Sequence, residues 1–208
     1  AVLFRNRAHN GTGRIIFCAE LLDEDIATLE SYVRGKTFDA IVSANKKVNR
    51  ALIGGALSLG TNIDITDIPG YAPLNNDKNM IALTIEAAAK AIPEYEMKAR
   101  HSFGSGSTDM GDLSCIMPVI HPYAGGAAGT SHGNDYQIVD PVAACIGSAK
   151  LQLSMLSLLL SDGAARAKKI VEEFEPQFES ARAYLDYIDS LNCTGDRIEY
   201  GENEVIIR

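Results

Sequence analysis

Hydrophobic and polar positions alternate with two different periods along this chain. Ile41, Val48, Leu52 and Leu59 fall on one stripe of a helix over 38–59, and Thr37 is placed to cap its N-terminus. Before it, Arg14 to Cys18 reads as a short strand and Ile26 to Arg34 as a half-buried one. Ile63, Ile65 and Ile68 alternate with polar neighbours up to a Pro69-Gly70 turn. Asn76 or Asp77 then caps a helix through Met80, Leu83, Ala87 and Ala91 that stops at Pro93. Tyr95 to Ala99 and Leu113 to Val119 are strand candidates, the second a buried one. Pro141 opens a helix to Leu160 that is apolar around nearly its whole circumference, which predicts burial between a sheet and another layer. Ser161-Asp162-Gly163 breaks it. A more charged helix over 164–174, a break at Pro176, a helix over 178–191 and a terminal hairpin around Gly201 complete the pattern.

These elements predict an α/β fold. A leader strand over 1–22 precedes a small α+β part over 23–70, and a sheet with flanking helices fills 71–208. With 208 residues, 46% hydrophobic and 22% charged, the composition is that of a soluble globular chain. A net charge of -8 disfavours a nucleic-acid or anionic-membrane partner, because binding phosphates requires clustered Lys and Arg. The one basic cluster, Lys46, Lys47 and Arg50, reads as a solvated helix face. Leu151 to Leu160 is too short to cross a bilayer and is interrupted by Gln152, Ser154 and Ser157. Four cysteines without C-x-x-C spacing predict reduced thiols and a cytoplasmic protein, with Cys115 and Cys145 buried.

Polar chemistry concentrates between Phe103 and Pro141. Two glycine-rich loops flank the apolar run 113–119 and carry Ser105, Ser107, Thr108, Asp109, Asp112, Ser131, His132, Asn134 and Asp135. Loops of this kind can present successive N–H groups to a carboxylate, or can fold their Ser, Thr and Asp side chains onto their own backbone. Both readings stay open for Ser107, Thr108 and Asp109. His121 and His101 have no partner at ligand spacing and read as surface or supporting residues.

The segments G-S-T-D-M-G-D-L-S and A-G-T-S-H-G-N-D-Y resemble the closing half of the zinc-dependent aminoacylase and carboxypeptidase superfamily, in its amidohydrolase branch. The nearest likeness is to the aminobenzoyl-glutamate hydrolase type, over about 26–178. The resemblance implies two zinc (or manganese) ions, with a glutamate base, hydrolysing an N-acyl amino acid or aminobenzoyl-glutamate-like amide. It also implies a lid domain that pairs two subunits into a homodimer. His132 matches the family's metal-binding histidine, Ser107, Thr108 and Asp109 lie where its substrate pocket is lined, and Glu20 faintly matches its Pro-Ala-Glu-Glu strand end. The family's H-x-C-G-H-D segment, bridging carboxylate and glutamate pair have no counterpart here. The resemblance therefore implies a chain that is inactive alone, with a noncatalytic dimerisation or carboxylate-binding module as the alternative.

Overall fold

The computed structural model describes residues 3–4, 7–8, 11–12, 14–23, 26–99, 104 and 106–207, with backbone alone up to residue 27. Helix and strand are mixed, and the sheets are small and antiparallel. Three two-residue strands, β1 (Leu3–Phe4), β2 (Arg7–Ala8) and β3 (Gly11–Thr12), precede the long hairpin of β4 (Arg14–Asp23) and β5 (Ile26–Arg34). Next come α1 (Phe38–Leu59), β6 (Asp64–Asp67), α2 (Lys78–Ala91) and the short α3 (Met110–Ser114). The two-residue strands β7 (Ala127–Ala128) and β8 (Gln137–Ile138) lead to a π-helical turn, Val142–Gly147, that runs into α4 (Ser148–Glu172). The chain ends with α5 (Ala181–Ser190), β9 (Cys193–Asp196), β10 (Ile198–Tyr200) and β11 (Val205–Ile207). Two compact units result. One comprises Ala1–Leu74, Phe103–Asp112 and Phe178–Arg208, the other Asn75–Ser102 and Leu113–Gln177, so residues 71–208 are divided between them.

In the first unit, α1 begins where Thr37 Oγ1 accepts the Ala40 N–H at 3.2 Å and ends at Gly60, whose φ of 68° lets the last carbonyls find the following amides. Ile53 and Ala56 of α1 pack on Ile65 of β6 and Ile198 of β10. β6 pairs with β9, from Asp64 opposite Asp196 to Asp67 opposite Cys193. Four rings tie α5 to the start of α1: Phe38 lies 5.9 Å from Phe178 and 5.2 Å from Tyr187, and Phe178 lies 5.4 Å from Tyr184. Edge-to-face pairs of this kind add about 0.5–1.5 kcal/mol each beyond area burial. The expected strand ahead of α1 forms, but longer: β4 runs on to Asp23 in register with β5, with a bulge between Leu21 and Asp23. The terminal hairpin also forms, as β10 paired with β11.

In the second unit, Asp77 Oδ1 accepts the Asn79 and Met80 amides at 2.9 and 2.8 Å, which starts α2. Its face Leu83, Ala87, Ala88 and Ile92 packs on Leu151, Met155 and Ile170 of α4. Two alanines in that face let the helices approach closely enough for Ser154 Oγ to donate to the Ala87 carbonyl at 3.2 Å. Glu86 accepts from Lys90 at 2.7 Å and from Arg166 at 2.6 Å. Those bonds, Lys90's first, hold its carboxyl below the ordinary 4.5. A lowered folded pKa means that the stabilisation is complete above the unfolded value and is lost as pH falls through the folded one.

Four expectations change. Tyr95–Ala99 forms no strand; its alternating charges pair locally, Lys98 with Glu96 at 2.8 Å. Leu113–Val119 is not a strand, because residues 110–114 turn helically after Thr108 and Pro118 interrupts the rest of the run, although Ser114, Cys115 and Val119 are buried as the apolar run suggested. Cys145 is exposed, unlike Cys115. The 142–160 helix is buried on one side only, with Val142, Ile146, Leu153, Leu156 and Leu160 exposed. The span 142–172 is long and apolar enough by length and composition to cross a membrane. Its backbone, however, leaves helical geometry from Ser161 to Ala164.

Leu83, fully buried between α2 and α4, is the natural probe of this core. Leu83→Ala is expected to lower the unfolding free energy by about 2–5 kcal/mol, read by urea denaturation with an unchanged m-value.

Candidate functional site

The two loops that carry the polar residues are each held by their own side chains. In the first, Thr108 Oγ1 lies 3.1 Å from Asp109 Oδ1 and 3.4 Å from the Met110 amide. The Gly111 and Asp112 amides donate to the carbonyls of Thr108 and Asp109 at 3.0 Å each. Ser107 and Asp109 are exposed and Thr108 is half-buried. Asp112 Oδ1 accepts both the Ala72 amide and the Tyr184 hydroxyl at 2.7 Å. Gly111 sits so close beneath that crossing that a Cβ there would stand 1.9 Å from the Ala72 carbonyl oxygen.

The second loop, 125–140, carries His132. β7 and β8 close its base, with Ala127 opposite Ile138 and Ala128 opposite Gln137. The Val139 and Asp140 amides both donate to the Gly126 carbonyl, at 2.9 and 3.0 Å. Inside the loop Asp135 takes the Thr130 amide at 3.1 Å and its hydroxyl at 3.3 Å. Gly129, at φ 102°, has room for no side chain: a Cβ would stand 2.3 Å from the Asp135 carbonyl oxygen. At the tip His132 adopts φ 63°, a left-handed conformation that costs an L-residue roughly 1–2 kcal/mol, and its imidazole is exposed. Asp140 Oδ1 then accepts the Val142 and Ala143 amides at 3.0 Å each, and so starts the long helix.

Asp109 belongs to the first unit and His132 to the second. The strand expected over 113–119 between the two loops does not form, so no sheet strand joins the loop of Asp109 to the loop of His132. His121 donates its amide to Asn76 Oδ1 at 2.9 Å and stacks edge-on to Tyr123, while its buried Nδ1 has no partner among the described residues. Glu20 lies on β4 opposite Thr28. His9, His101, Phe103 and Ser105 fall outside the described residues. Among the described residues, no three His, Cys, Asp or Glu side chains converge as a metal-holding group. A zinc site takes three or four protein ligands, more than a single histidine offers.

One feature was not legible in the sequence. Lys46, Lys47 and Arg50 border an open groove of about 480 Å³ together with Asp39 of the same helix and Tyr187 and Leu191 from the far end of the chain. The basic triplet was visible as a cluster, but its wall depends on the docking of α5. Compared with protein-family models, curated proteins and solved structures, the chain finds no match in any of the three.

Relieving the strain at residue 132 stabilises the fold. His132→Gly is expected to raise the unfolding free energy by about 1 kcal/mol. His132→Ala, which keeps the strain, is expected to leave it within about 0.5 kcal/mol of the parent. Thermal and urea melts of the three proteins read both.

Proposed function

We propose that this chain is the C-terminal portion of a metal-dependent amidohydrolase that cleaves an N-acyl amino acid or aminobenzoyl-glutamate-like amide. In this reading the α/β fold is the closing half of a sheet with flanking helices plus a partial lid. His132 is one ligand of a zinc (or manganese) pair, and Ser107, Thr108 and Asp109 are proposed as substrate-binding residues on the resemblance alone. The observation that carries the reading is His132 itself: an exposed imidazole held at φ 63° by a loop braced on both sides. Backbone strain of this kind persists where the surroundings over-determine it, and it clusters at functional positions.

The described residues do not make a complete metal site. Of the acids within these motifs, Asp109, Asp112 and Asp135, the last two already accept backbone and hydroxyl donors. In this reading the remaining ligands and the base come from outside the described residues. When bound, the ions supply Lewis acidity and a water of lowered pKa. The protein would act in the cytoplasm as a homodimer, with β5 at the edge of its sheet beside α1 as the pairing surface.

A second reading, a noncatalytic carboxylate-binding module, draws on the groove. Lys46, Lys47 and Arg50 are exposed there and form no ion pair among the described residues, whereas Lys90, Lys98, Arg166, Lys169 and Arg182 all do.

Titrations followed by side-chain and amide NMR separate the two readings. The amidohydrolase reading expects zinc to shift the His132 ring signals ahead of the other histidines. It also expects no turnover of an N-acyl amino acid above the buffer rate. The module reading expects aminobenzoyl-glutamate to shift residues 46–50 and Tyr187, with His132 unmoved by zinc. Zinc-dependent turnover that disappears in His132→Ala would contradict both, since the chain would then carry a whole site.

A further inference from the structure

Helix α1 carries three cations and one acid, unevenly placed along its length. Lys46, Lys47 and Arg50 lie within five residues, and Asp39 sits in the first turn. At 1.5 Å per residue, Asp39 stands about 10 Å from Lys46 along the axis. Lys46 and Arg50 are four positions apart, so their like charges repel across one turn of the helix. No neighbouring acid relieves them: among the described residues none of the three forms an ion pair. A second basic triplet, Arg166, Lys168 and Lys169, is different. There Arg166 pairs with Glu86 at 2.6 Å and Lys169 with Glu173 at 3.7 Å.

On a bare helix such a cluster would be a solvated face, but here α5 adds a second wall. Tyr187 and Leu191 from α5, with Val42 and Ser43 from α1, complete the open groove of about 480 Å³, within the range of small-molecule sites. The Tyr187 ring lies 5.2 Å from that of Phe38 and 5.3 Å from that of Phe178, so packing sets the position of this wall.

We propose that the groove binds a small organic dianion with a flat apolar body. Its charged end lies at the basic triplet, where two negative charges offset the repulsion that α1 carries alone. The Arg50 guanidinium suits this end, because it can hold two carboxylate or phosphate oxygens at once. The apolar body lies along Val42, Tyr187 and Leu191. Asp39 repels an anion from the far end, which fixes the direction in which the ligand points. Dicarboxylates and phosphomonoesters share this chemistry. A nucleic-acid polyanion is disfavoured by the net charge of -8. The inference rests on the groove of the carboxylate-binding reading and adds to it the charge and shape of the ligand.

Titrations of the full chain with four small probes, followed by NMR of the amides of residues 43–50 and of the Tyr187 ring, test it. In mildly alkaline buffer phenylphosphonate and phthalate carry two charges on a flat ring, whereas benzenesulfonate and benzoate carry one. Each dianion is expected to bind about fivefold more tightly than its monoanionic counterpart, the most that one further exposed charge pair contributes. Arg50→Gln is expected to weaken dianion binding about fivefold. Lys168→Gln, the same change of charge at an exposed position of the second unit, is expected to leave it unchanged. Thermal melts check that both variants fold, and Lys47→Gln replaces Arg50→Gln should that one unfold. Binding by phenylphosphonate alone would assign the ligand to phosphomonoesters, and by phthalate alone to dicarboxylates; either supports the inference. Dianions that bind no better than monoanions overturn it, as does dianion binding indifferent to Arg50→Gln. An oligoglutamate peptide that binds more tightly than both ring dianions also overturns it, by assigning the groove to an acidic protein. The carboxylate-binding reading fails separately, when neither phthalate nor benzoate shifts residues 46–50.

Discussion

A backbone that leaves helices and sheets must still find partners for its N–H groups, and in this chain aspartate carboxylates supply many of them. Asp77 takes the two amides that start α2, and Asp140 takes the two that start the long helix. Asp112 holds the Ala72 amide and the Tyr184 hydroxyl together, and Asp135 holds Thr130 by its amide and its hydroxyl. Hydrogen bonds to an ionised acceptor are about twice as strong as neutral ones, so a single side chain can fix a whole turn. The two-residue strands β7 and β8 could not close the loop between them alone; with Asp135 inside it and Asp140 at its exit, they do.

That commitment has a chemical consequence. Asp112 and Asp135 are structural acceptors, and among the described residues no three His, Cys, Asp or Glu side chains converge as a metal-holding group. The same bonding explains why a histidine, rather than glycine, can occupy φ 63°: the bonds on either side of it over-determine the turn.

Elements with a local signature were legible in the sequence. Thr37 ahead of an apolar stripe gave α1, Asp77 ahead of Met80 and Leu83 gave α2, and the glycine at 201 gave the last hairpin. Each of these rests on residues within a few positions of one another. The pairing of β6 with β9 joins segments more than a hundred residues apart, and nothing local announces it. The run 113–119 misled because burial alone does not distinguish a strand from a short helical turn. Likewise the apolar circumference of the 142–160 helix predicted cover on every side, while only the Leu151 and Met155 side has it. Around the site, the density of glycines signalled a tight backbone. Which residue would take the left-handed conformation depended on Asp135 reaching back to Thr130, five positions away.

The central claim is that the loop bearing His132 is a single braced conformation. Amide hydrogen exchange tests it at Thr130, Gly133, Val139 and Asp140, whose N–H groups are the ones bonded inside the loop. A braced loop predicts that all four exchange at least tenfold more slowly than unstructured amides, about 1.4 kcal/mol of protection or more. It also predicts that Asp135→Ala removes the protection at Thr130 while the α2 amides keep theirs. Four amides exchanging at the unstructured rate in the parent would contradict the account, because nothing would then hold His132 where the structure has it.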